Sequence, residues 1–170
     1  MSTEIIPEAS ATVLVVDDNP TNLSLLFDLL SHEGFKVLVA PDGEGAIAQL
    51  DYVKPDLLLL DVMMPGIDGF ETCRRLKAND LTQDIPIIFM TALSAISDKV
   101  KGFDVGAVDY ITKPIDREEL LARLKTHLTI RRLQKTLQTQ NLALQKEISD
   151  RIAAESALRM FLHAVSHDLR

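Results

Sequence analysis

The sequence lacks tryptophan and holds a single cysteine, Cys73, among its 170 residues. One thiol cannot form an intrachain disulfide, and without a cysteine cluster there is no cysteine-based zinc site. No apolar run approaches the roughly 20 residues that span a bilayer, and the N-terminus has neither the basic nor the apolar part of a signal peptide. These absences predict a cytoplasmic protein without a membrane partner. We expect Cys73, which falls in a helical pattern, to face a core.

Positive charge is scarce in the first 115 residues. They hold 18 acidic and 8 basic side chains, whereas residues 116–170 hold 7 acidic and 10 basic ones. An acidic front part repels phosphates, so nucleic acid is not an expected partner. The basic residues at the rear are spread along one helix, which is typical of a solvated face. The hydrophobic fraction of 46% fits one well-buried domain with an appendage.

What the sequence does contain is five short apolar runs that alternate with amphipathic segments. The runs predict strands within residues 12–19, 35–40, 56–61, 86–91 and 108–114. Helical patterns occupy residues 20–34, 44–52, 68–78, 94–103 and the chain from 116 onward. Short connections between alternating strands and helices require a parallel sheet with helices on both faces. The predicted fold is α/β, doubly wound, with the flavodoxin-like strand order 2-1-3-4-5.

Reactive side chains end four of the predicted strands. Asp61 closes the most apolar run, Asp17 and Asp18 close the first, Thr91 the fourth and Lys113 the fifth. In the order 2-1-3-4-5 the carboxyl ends of these four strands are neighbours, so their side chains should converge. Each residue alone also has an ordinary interpretation as a cap, a strand-end hydroxyl or a surface charge. Their joint arrival at one edge predicts a functional site.

The chemistry of these residues indicates phosphoryl transfer. Three carboxylates at one place repel one another unless a cation is present, and Mg²⁺ prefers such hard oxygen ligands together with phosphate. A lysine ammonium and a threonine hydroxyl suit the oxygens of a transferred phosphoryl group. The chemistry implied is phosphorylation of Asp61 on a carboxylate oxygen, followed by hydrolysis.

Four motifs in this order resemble the signatures of the bacterial receiver domain of two-component signalling, across about residues 11–128. The motifs are Val-Asp17-Asp18-Asn, Leu-Asp61-Val-Met-Met-Pro-Gly, Met-Thr91-Ala92 and Tyr110-Ile-Thr-Lys113-Pro114. The resemblance implies that Asp61 is the phosphoacceptor and that a histidine kinase or phosphotransfer protein is the donor. It also implies an Mg²⁺ site, with four ligands that are carboxylates or a main-chain oxygen: Asp17, Asp18, Asp61 and the backbone carbonyl of Met63.

The same resemblance assigns the remaining site residues. Thr91 and Tyr110 are implied to be the switch pair, whose rearrangement after phosphorylation reshapes the face made by the fourth helix, fifth strand and fifth helix. Lys113 is implied to contact the phosphoryl group, followed by a cis peptide bond to Pro114. We expect a few kcal/mol to separate the two states of such a switch.

The last helix continues well beyond a receiver domain. An apolar stripe extends over roughly 50 residues, or about 75 to 80 Å at 1.5 Å per residue. It includes Leu120, Leu124, Leu128, Leu133, Leu137, Leu144, Ile148, Ile152, Leu158, Leu162, Val165 and Leu169. A long and narrow stripe predicts a parallel coiled coil and therefore a homodimer, with a stutter at 144-148-152. Asn141 lies near the seam, where it either sets the register or is solvated.

The final residues, Ser166-His167-Asp168-Leu169-Arg170, resemble the phosphorylation box of sensor histidine kinases. At 100° per residue, His167 lies about 140° to 180° from the stripe and is therefore predicted to be exposed. The resemblance implies that His167 accepts a phosphoryl group on a ring nitrogen and that Asp168 orients it. We expect the other histidines, His32, His127 and His163, to be exposed and inert.

These observations predict four segments: an N-terminal tail (1–10), a receiver (11–128), a coiled-coil signalling helix (129–158) and the start of a kinase phosphoacceptor helix (159–170). No Gly-rich phosphate loop is present, so the chain is not expected to be a kinase by itself. We interpret it as the truncated front of a hybrid histidine kinase with an N-terminal receiver. The alternative is a dimeric adaptor that phosphorylation controls and that has no kinase output.

Overall fold

A computed structural model describes residues 11–92 and 96–169, without the side chains of residues 96–98. Five strands are present within these residues: β1 (Thr12–Val16), β2 (Lys36–Ala40), β3 (Leu57–Asp61), β4 (Ile87–Thr91) and β5 (Asp109–Thr112). Five helices alternate with them: α1 (Pro20–His32), α2 (Gly43–Gln49), α3 (Gly69–Lys77), α4 (Ile96–Asp104) and α5 (Arg117–Asp168). The predicted tail at 1–10 and the predicted helix start at Ser94 lie outside the described residues.

The strands form one parallel sheet in the order β2-β1-β3-β4-β5. The prediction of the doubly wound, flavodoxin-like order is therefore confirmed. Strands β3 and β4 are buried along their whole length, as their unbroken apolar sequences predict for strands covered on both faces. The register pairs Asp61 with Met90 and Thr91 with Thr112, which brings the carboxyl ends of β3, β4 and β5 to one edge.

Each face of the sheet has its own hydrophobic core, because successive strand residues point to opposite faces. Leu58 and Leu60 pack with Phe70, Cys73 and the rest of one cluster, on the face that α3 covers. The opposite face packs against α1 and α5, and its helical members are Leu26, Leu30, Leu120, Leu124 and Leu128. Cys73 is fully buried, as predicted from its position in the helical pattern.

Local sequence signals set the helix boundaries. Asn19, Asp42 and Asp68 are N-cap residues whose side chains accept hydrogen bonds from backbone N–H groups in the first turns of α1, α2 and α3. Gly34 and Gly106 have φ values of 91° and 106°, a region where a side chain is strained. Gly34 lies shortly after the end of α1 and Gly106 shortly after the end of α4, the position where helices commonly end with a left-handed glycine.

The chain divides into two compact units between Arg131 and Arg132. The first unit holds the sheet and the second consists of the helix that continues to Asp168. From Leu133 onward, the stripe residues named above are between 39% and 82% exposed, so nothing in the described part of this chain covers them.

No residue from Thr136 to Gln145 carries a formal charge, whereas charged side chains resume at Lys146. Among the described residues, no helix has the length and apolar character needed to cross a membrane.

Candidate functional site

Three aspartates meet at the carboxyl edge of the sheet. Asp17 and Asp18 follow β1, Asp61 ends β3, and ligand oxygens of all three lie within 4.8 Å of one another. Asp17 is fully buried and Asp61 nearly so, whereas Asp18 faces solvent. The two strands are paired in the sheet, which explains why residues 44 positions apart come together. The structure thus brings the predicted acidic residues together.

Asp17 is held by neighbours on both of its oxygens. Its Oδ1 accepts a hydrogen bond of 2.9 Å from the backbone N–H of Asn19, and its Oδ2 accepts bonds from Asn22 Nδ2 at 3.3 Å and Lys113 Nζ at 3.0 Å. Asn22 was not among the predicted site residues. Its signal in the sequence was its position in the first turn of a helix directly after Asp17 and Asp18.

Lys113 joins the two buried carboxylates. Its Nζ lies 3.0 Å from Asp17 Oδ2 and 3.3 Å from Asp61 Oδ1, and its peptide bond to Pro114 is cis, as predicted. Burial disfavours the ammonium, but the bond to Asp17 and the charge of Asp61 outweigh it and raise the pKa of Lys113. The lysine therefore stays a cation beside the site.

Asp61 is held in an environment that disfavours its negative charge. Burial and the neighbouring charge of Asp17 raise the pKa of Asp61 to about 6, against the opposing effects of Lys113 and the Met63 N–H. The Met63 N–H donates to Asp61 Oδ1 at 3.3 Å. A cation at this place would relieve the repulsion, and three carboxylates form the hard oxygen set that Mg²⁺ prefers. The donor set therefore fits this ion.

A close approach of α3 fixes the end of β3. The Gly69 N–H donates to the Val62 carbonyl at 2.9 Å, and a Cβ atom at Gly69 would lie only 2.3 Å from the Asp61 carbonyl oxygen. Only glycine leaves room for this contact. Gly69 therefore positions the backbone that carries the Asp61 carboxylate.

Thr91 and Tyr110 border the same pocket beside the acidic cluster. Its lining includes Thr91, Lys99 and four aromatic residues, Phe70, Phe89, Phe103 and Tyr110. Thr91 is buried at the end of β4, and the Tyr110 ring packs edge-on against Phe103 with ring centroids 6.0 Å apart. Lys99 Nζ lies 4.2 Å from the centroid of the Tyr110 ring. The predicted switch residues thus share one cavity.

The expectation that His127 is exposed and inert is wrong. Its Nε2 lies 2.9 Å from Asp109 Oδ2, while Arg123 donates to Asp109 Oδ1 at 2.8 Å, so two α5 side chains hold one carboxylate of β5. Burial of Asp109 raises its pKa, but the bonds to His127 and Arg123 outweigh it and the pKa is lowered. The sequence signal was the four-residue spacing of Arg123 and His127, which places both on one helix face.

Arg131 is a second residue whose contacts the sequence did not predict. It is 6% exposed and its guanidinium donates to the Asp84 carbonyl in the segment before β4. Burial lowers the pKa of Arg131, although Asp56 and Asp84 oppose this effect. Its spacing from Leu124 and Leu128 continues the buried face of α5, and this spacing is the feature of the sequence that could have predicted its burial.

His167 and Asp168, the other predicted site residues, lie in the second unit at the end of α5. Both side chains are exposed. His163 is exposed as well, in agreement with the sequence prediction for that residue.

The fold and the acidic cluster match a known family. The model of the response regulator receiver domain matches residues 13–125, and the chain belongs to this family. Receiver domains bind Mg²⁺ at an acidic site and accept phosphate from histidine kinases or phosphotransfer proteins in two-component phosphorelay signalling.

Similar proteins include regulators and kinase receivers. The chain is 45% identical over 116 residues to the DNA-binding dual master transcriptional regulator RpaA of Synechocystis and 46% identical over 117 residues to the response regulator PleD of Caulobacter vibrioides. These matches cover 68% and 69% of this chain but only 48% and 26% of the relatives, so the chain spans about half or less of their length.

Solved structures agree with this assignment. The receiver domain of a signal transduction histidine kinase from Syntrophus aciditrophicus is 35% identical with a TM-score of 0.66, covering 70% of this chain and 90% of that one. The receiver of sensor histidine kinase PA1611 from Pseudomonas aeruginosa, with magnesium coordinated in its active-site cleft, is 29% identical with a TM-score of 0.66, covering 71% and 98%.

Proposed function

We propose that Asp61 is the phosphoacceptor of an Mg²⁺-dependent phosphorelay receiver. The observation that carries this proposal is the convergence of Asp17, Asp18 and Asp61 within 4.8 Å, with Lys113 between the two buried carboxylates. Asp17 and Asp18 bind the cation, Lys113 contacts the phosphoryl oxygens, and Asp61 supplies the nucleophilic oxygen.

The transfer needs one bond to form and one to break. An Asp61 carboxylate oxygen attacks the phosphorus of the donor, and the bond from phosphorus to the donor's leaving atom breaks. With a phosphohistidine donor, the leaving ring nitrogen keeps the electron pair and takes a proton from solvent. Lys113 neutralises charge on the phosphoryl oxygens, and water later attacks phosphorus to release phosphate and restore the carboxylate.

Asp17, Asp18, Asp61 and the backbone carbonyl of Met63 are the residues that would hold Mg²⁺. When bound, the ion supplies positive charge that lets an anionic phosphate approach an anionic carboxylate. The residues of this chain do the rest: Asn22 and the Asn19 N–H orient Asp17, and Gly69 fixes the backbone at Asp61.

Thr91 and Tyr110 are the residues that respond to the new phosphoryl group. Phosphorylation adds about −1.5 to −2 charge at Asp61. A hydroxyl that turns toward that charge leaves space in the pocket that Thr91 and Tyr110 share, and the Tyr110 ring can fill it. Because Tyr110 contacts Lys99 and Phe103 of α4, its movement changes the surface of α4 and β5.

Incubation with acetyl phosphate and Mg²⁺, followed by intact mass spectrometry, tests the receiver chemistry. We expect a gain of one phosphoryl group that requires Mg²⁺ and is lost in Asp61→Asn. Asp51→Asn, a change at an exposed carboxylate of the same domain, is the matched control and should be phosphorylated like the wild type. Phosphorylation of Asp61→Asn to the wild-type level would refute the assignment.

For the second unit we propose a parallel homodimer through the apolar stripe of α5. The stripe is exposed within the described chain and is apolar over many turns, so a second copy offers it a matching surface. Leu137→Lys in the stripe should shift the mass in light scattering from dimer to monomer, whereas Gln138→Lys on a neighbouring face should leave it dimeric. Equal masses for the two variants would contradict the proposed seam.

We further propose that this helix carries the state of the receiver to His167, the phosphoacceptor of a histidine kinase. Support comes from the Ser-His-Asp-Leu-Arg sequence, the exposure of His167 and Asp168, and the match to receivers that belong to histidine kinases. Phosphoramidate, a donor to imidazole nitrogen, should label His167 above His32, as read from peptide masses. Equal labelling of the two would favour the adaptor alternative.

A further inference from the structure

Two histidines of α5 lie one helical turn apart on its exposed face. His163 and His167 are four residues apart, a spacing that puts Cβ atoms about 5 to 6 Å from each other. Both side chains face solvent, and within the described residues no hydrogen bond or ion pair involves either of them. Both also lie at about 100° or more from the stripe residues Leu158, Leu162 and Val165 on the helical wheel. The pair therefore stays accessible whether or not the stripe is covered.

This spacing allows both imidazoles to bind one metal ion. Two histidines at positions i and i+4 on one helix face supply two of the three protein ligands in a known type of zinc site. Imidazole nitrogen suits Zn²⁺, Cu²⁺ and Ni²⁺, whereas Mg²⁺ prefers oxygen ligands. The other two histidines do not offer such a pair, because His127 is bonded to Asp109 and His32 lies on a different helix.

The surroundings of the pair contain both favourable and unfavourable charge. Asp168 is the direct neighbour of His167 in the sequence, and its negative charge favours a bound cation. Arg159 lies one turn before His163 on the same side and opposes a cation there. Chelation by two ring nitrogens, rather than net charge, must therefore provide the affinity.

We propose that His163 and His167 chelate one divalent cation of the Cu²⁺, Zn²⁺ and Ni²⁺ class. The order of divalent metal affinities places Cu²⁺ first. This site differs from the acidic cluster of the receiver in its ligand atoms and in the metals it selects. A consequence rests on the function proposed above: a ring nitrogen of His167 that holds a metal is not free to accept a phosphoryl group.

Calorimetric titration of the full chain with Zn²⁺ or Ni²⁺, in excess Mg²⁺ to saturate the acidic cluster, tests the proposal. We expect one binding event for each chain. His163→Gln and His167→Gln should each weaken it at least about tenfold, since even changes to the residues behind metal ligands cost that much. His32→Gln, at an exposed histidine on α1, is the matched control and should bind like the wild type.

Protection from diethyl pyrocarbonate, which modifies unprotonated imidazole, gives a second readout at single residues. Zn²⁺ should slow modification of His163 and His167 together and leave His32 unchanged. Wild-type affinity in both single variants, or no binding at all, would overturn the proposal. Phosphorylation of Asp61 is measured separately, so failure of the metal site and failure of the receiver chemistry are distinguished.

Discussion

At the scale of single residues, Asp61 lowers the stability of the fold at the place where the proposed chemistry occurs. The structure keeps a carboxylate in a buried place beside Asp17, and these two causes raise its pKa to about 6. An ionised Asp61 is therefore less stable in the folded protein than in the unfolded chain, where its pKa is near 3.8. A raised pKa with its loss of folding stability is expected at a functional site, because such sites bring charged groups close together.

We predict that Asp61→Asn is more stable than the wild type at pH 7 in a chelator. Because the folded pKa is raised, the wild type loses stability as the pH rises from about 4 to 6, and the variant does not. After allowance for solvent screening, the gain should be on the order of 1 to 2 kcal/mol, shrinking toward zero near pH 4. Urea denaturation of the wild type and the variant between pH 4 and pH 7 measures this gain. A difference in the free energy of unfolding that is the same at pH 4 and pH 7 would contradict the electrostatic cause.

Gly69 gives a second prediction for one residue. A Cβ atom there would overlap the Asp61 carbonyl at 2.3 Å, a backbone atom that cannot move without displacing β3. Gly69→Ala should lower the free energy of unfolding by about 1 to 3 kcal/mol and slow phosphorylation by acetyl phosphate. Gly102→Ala is the control, because the nearest atoms to its Cβ would be side-chain atoms of Phe89, at 3.0 Å, and Phe70, at 3.9 Å, and not backbone atoms. A smaller loss at Gly69 than at Gly102 would count against the close approach.

At the scale of elements, the contact between β5 and α5 depends on Asp109. Its carboxylate receives Arg123, His127 and the Tyr110 N–H, so it joins the last strand to the helix that leaves the domain. Tyr110 follows it directly in β5. The three bonds therefore link the neighbourhood of the proposed switch residue to α5.

Asp109→Asn should weaken this contact. We expect a loss of about 1.5 to 3 kcal/mol at pH 7, the range for hydrogen bonds to charged groups, and faster amide exchange in residues 118–128. Because the pKa of Asp109 is lowered, the loss is complete above pH 4 and disappears as the pH falls further. Asp104→Asn, at an exposed residue of α4, is the control and should change neither quantity. Exchange as slow as in the wild type would exclude a role for Asp109 in holding α5.

The strands and the acidic cluster were predictable, whereas the side-chain partners were not. Uninterrupted apolar runs such as Leu57–Leu60 indicate buried strands, and the order of a doubly wound sheet then brings Asp17 and Asp61 together. His127 was misjudged because its partner lies 18 residues away, on a strand whose distance from α5 no local pattern reveals. Arg131 was taken as solvated because a charged residue is rarely buried without a partner.

At the scale of the whole molecule, the boundary between the two units is marked by Arg131. The residue is buried in the first unit and bonded to the Asp84 carbonyl, three positions beyond Leu128. A chain that ends after Arg131 should keep the melting temperature of the sheet-containing unit. A chain that ends after Leu128 should lose about 1 to 2 kcal/mol with that bond, visible as a lower melting temperature in calorimetry. Equal melting of both chains would show that Arg131 contributes nothing to this unit.

The stretch from Thr136 to Gln145 has a consequence for the proposed pair of helices. With no formal charge in ten residues, this part of a dimer has no ion pairs to hold one rotational setting, and dissolved salt has nothing there to screen. The turns around Lys146 and Glu147 would respond to ionic strength, but the segment before them would not. In the proposed dimer, the two helices can therefore rotate against each other in this segment without breaking a salt bridge, so a rotation that starts at the receiver meets little electrostatic resistance here.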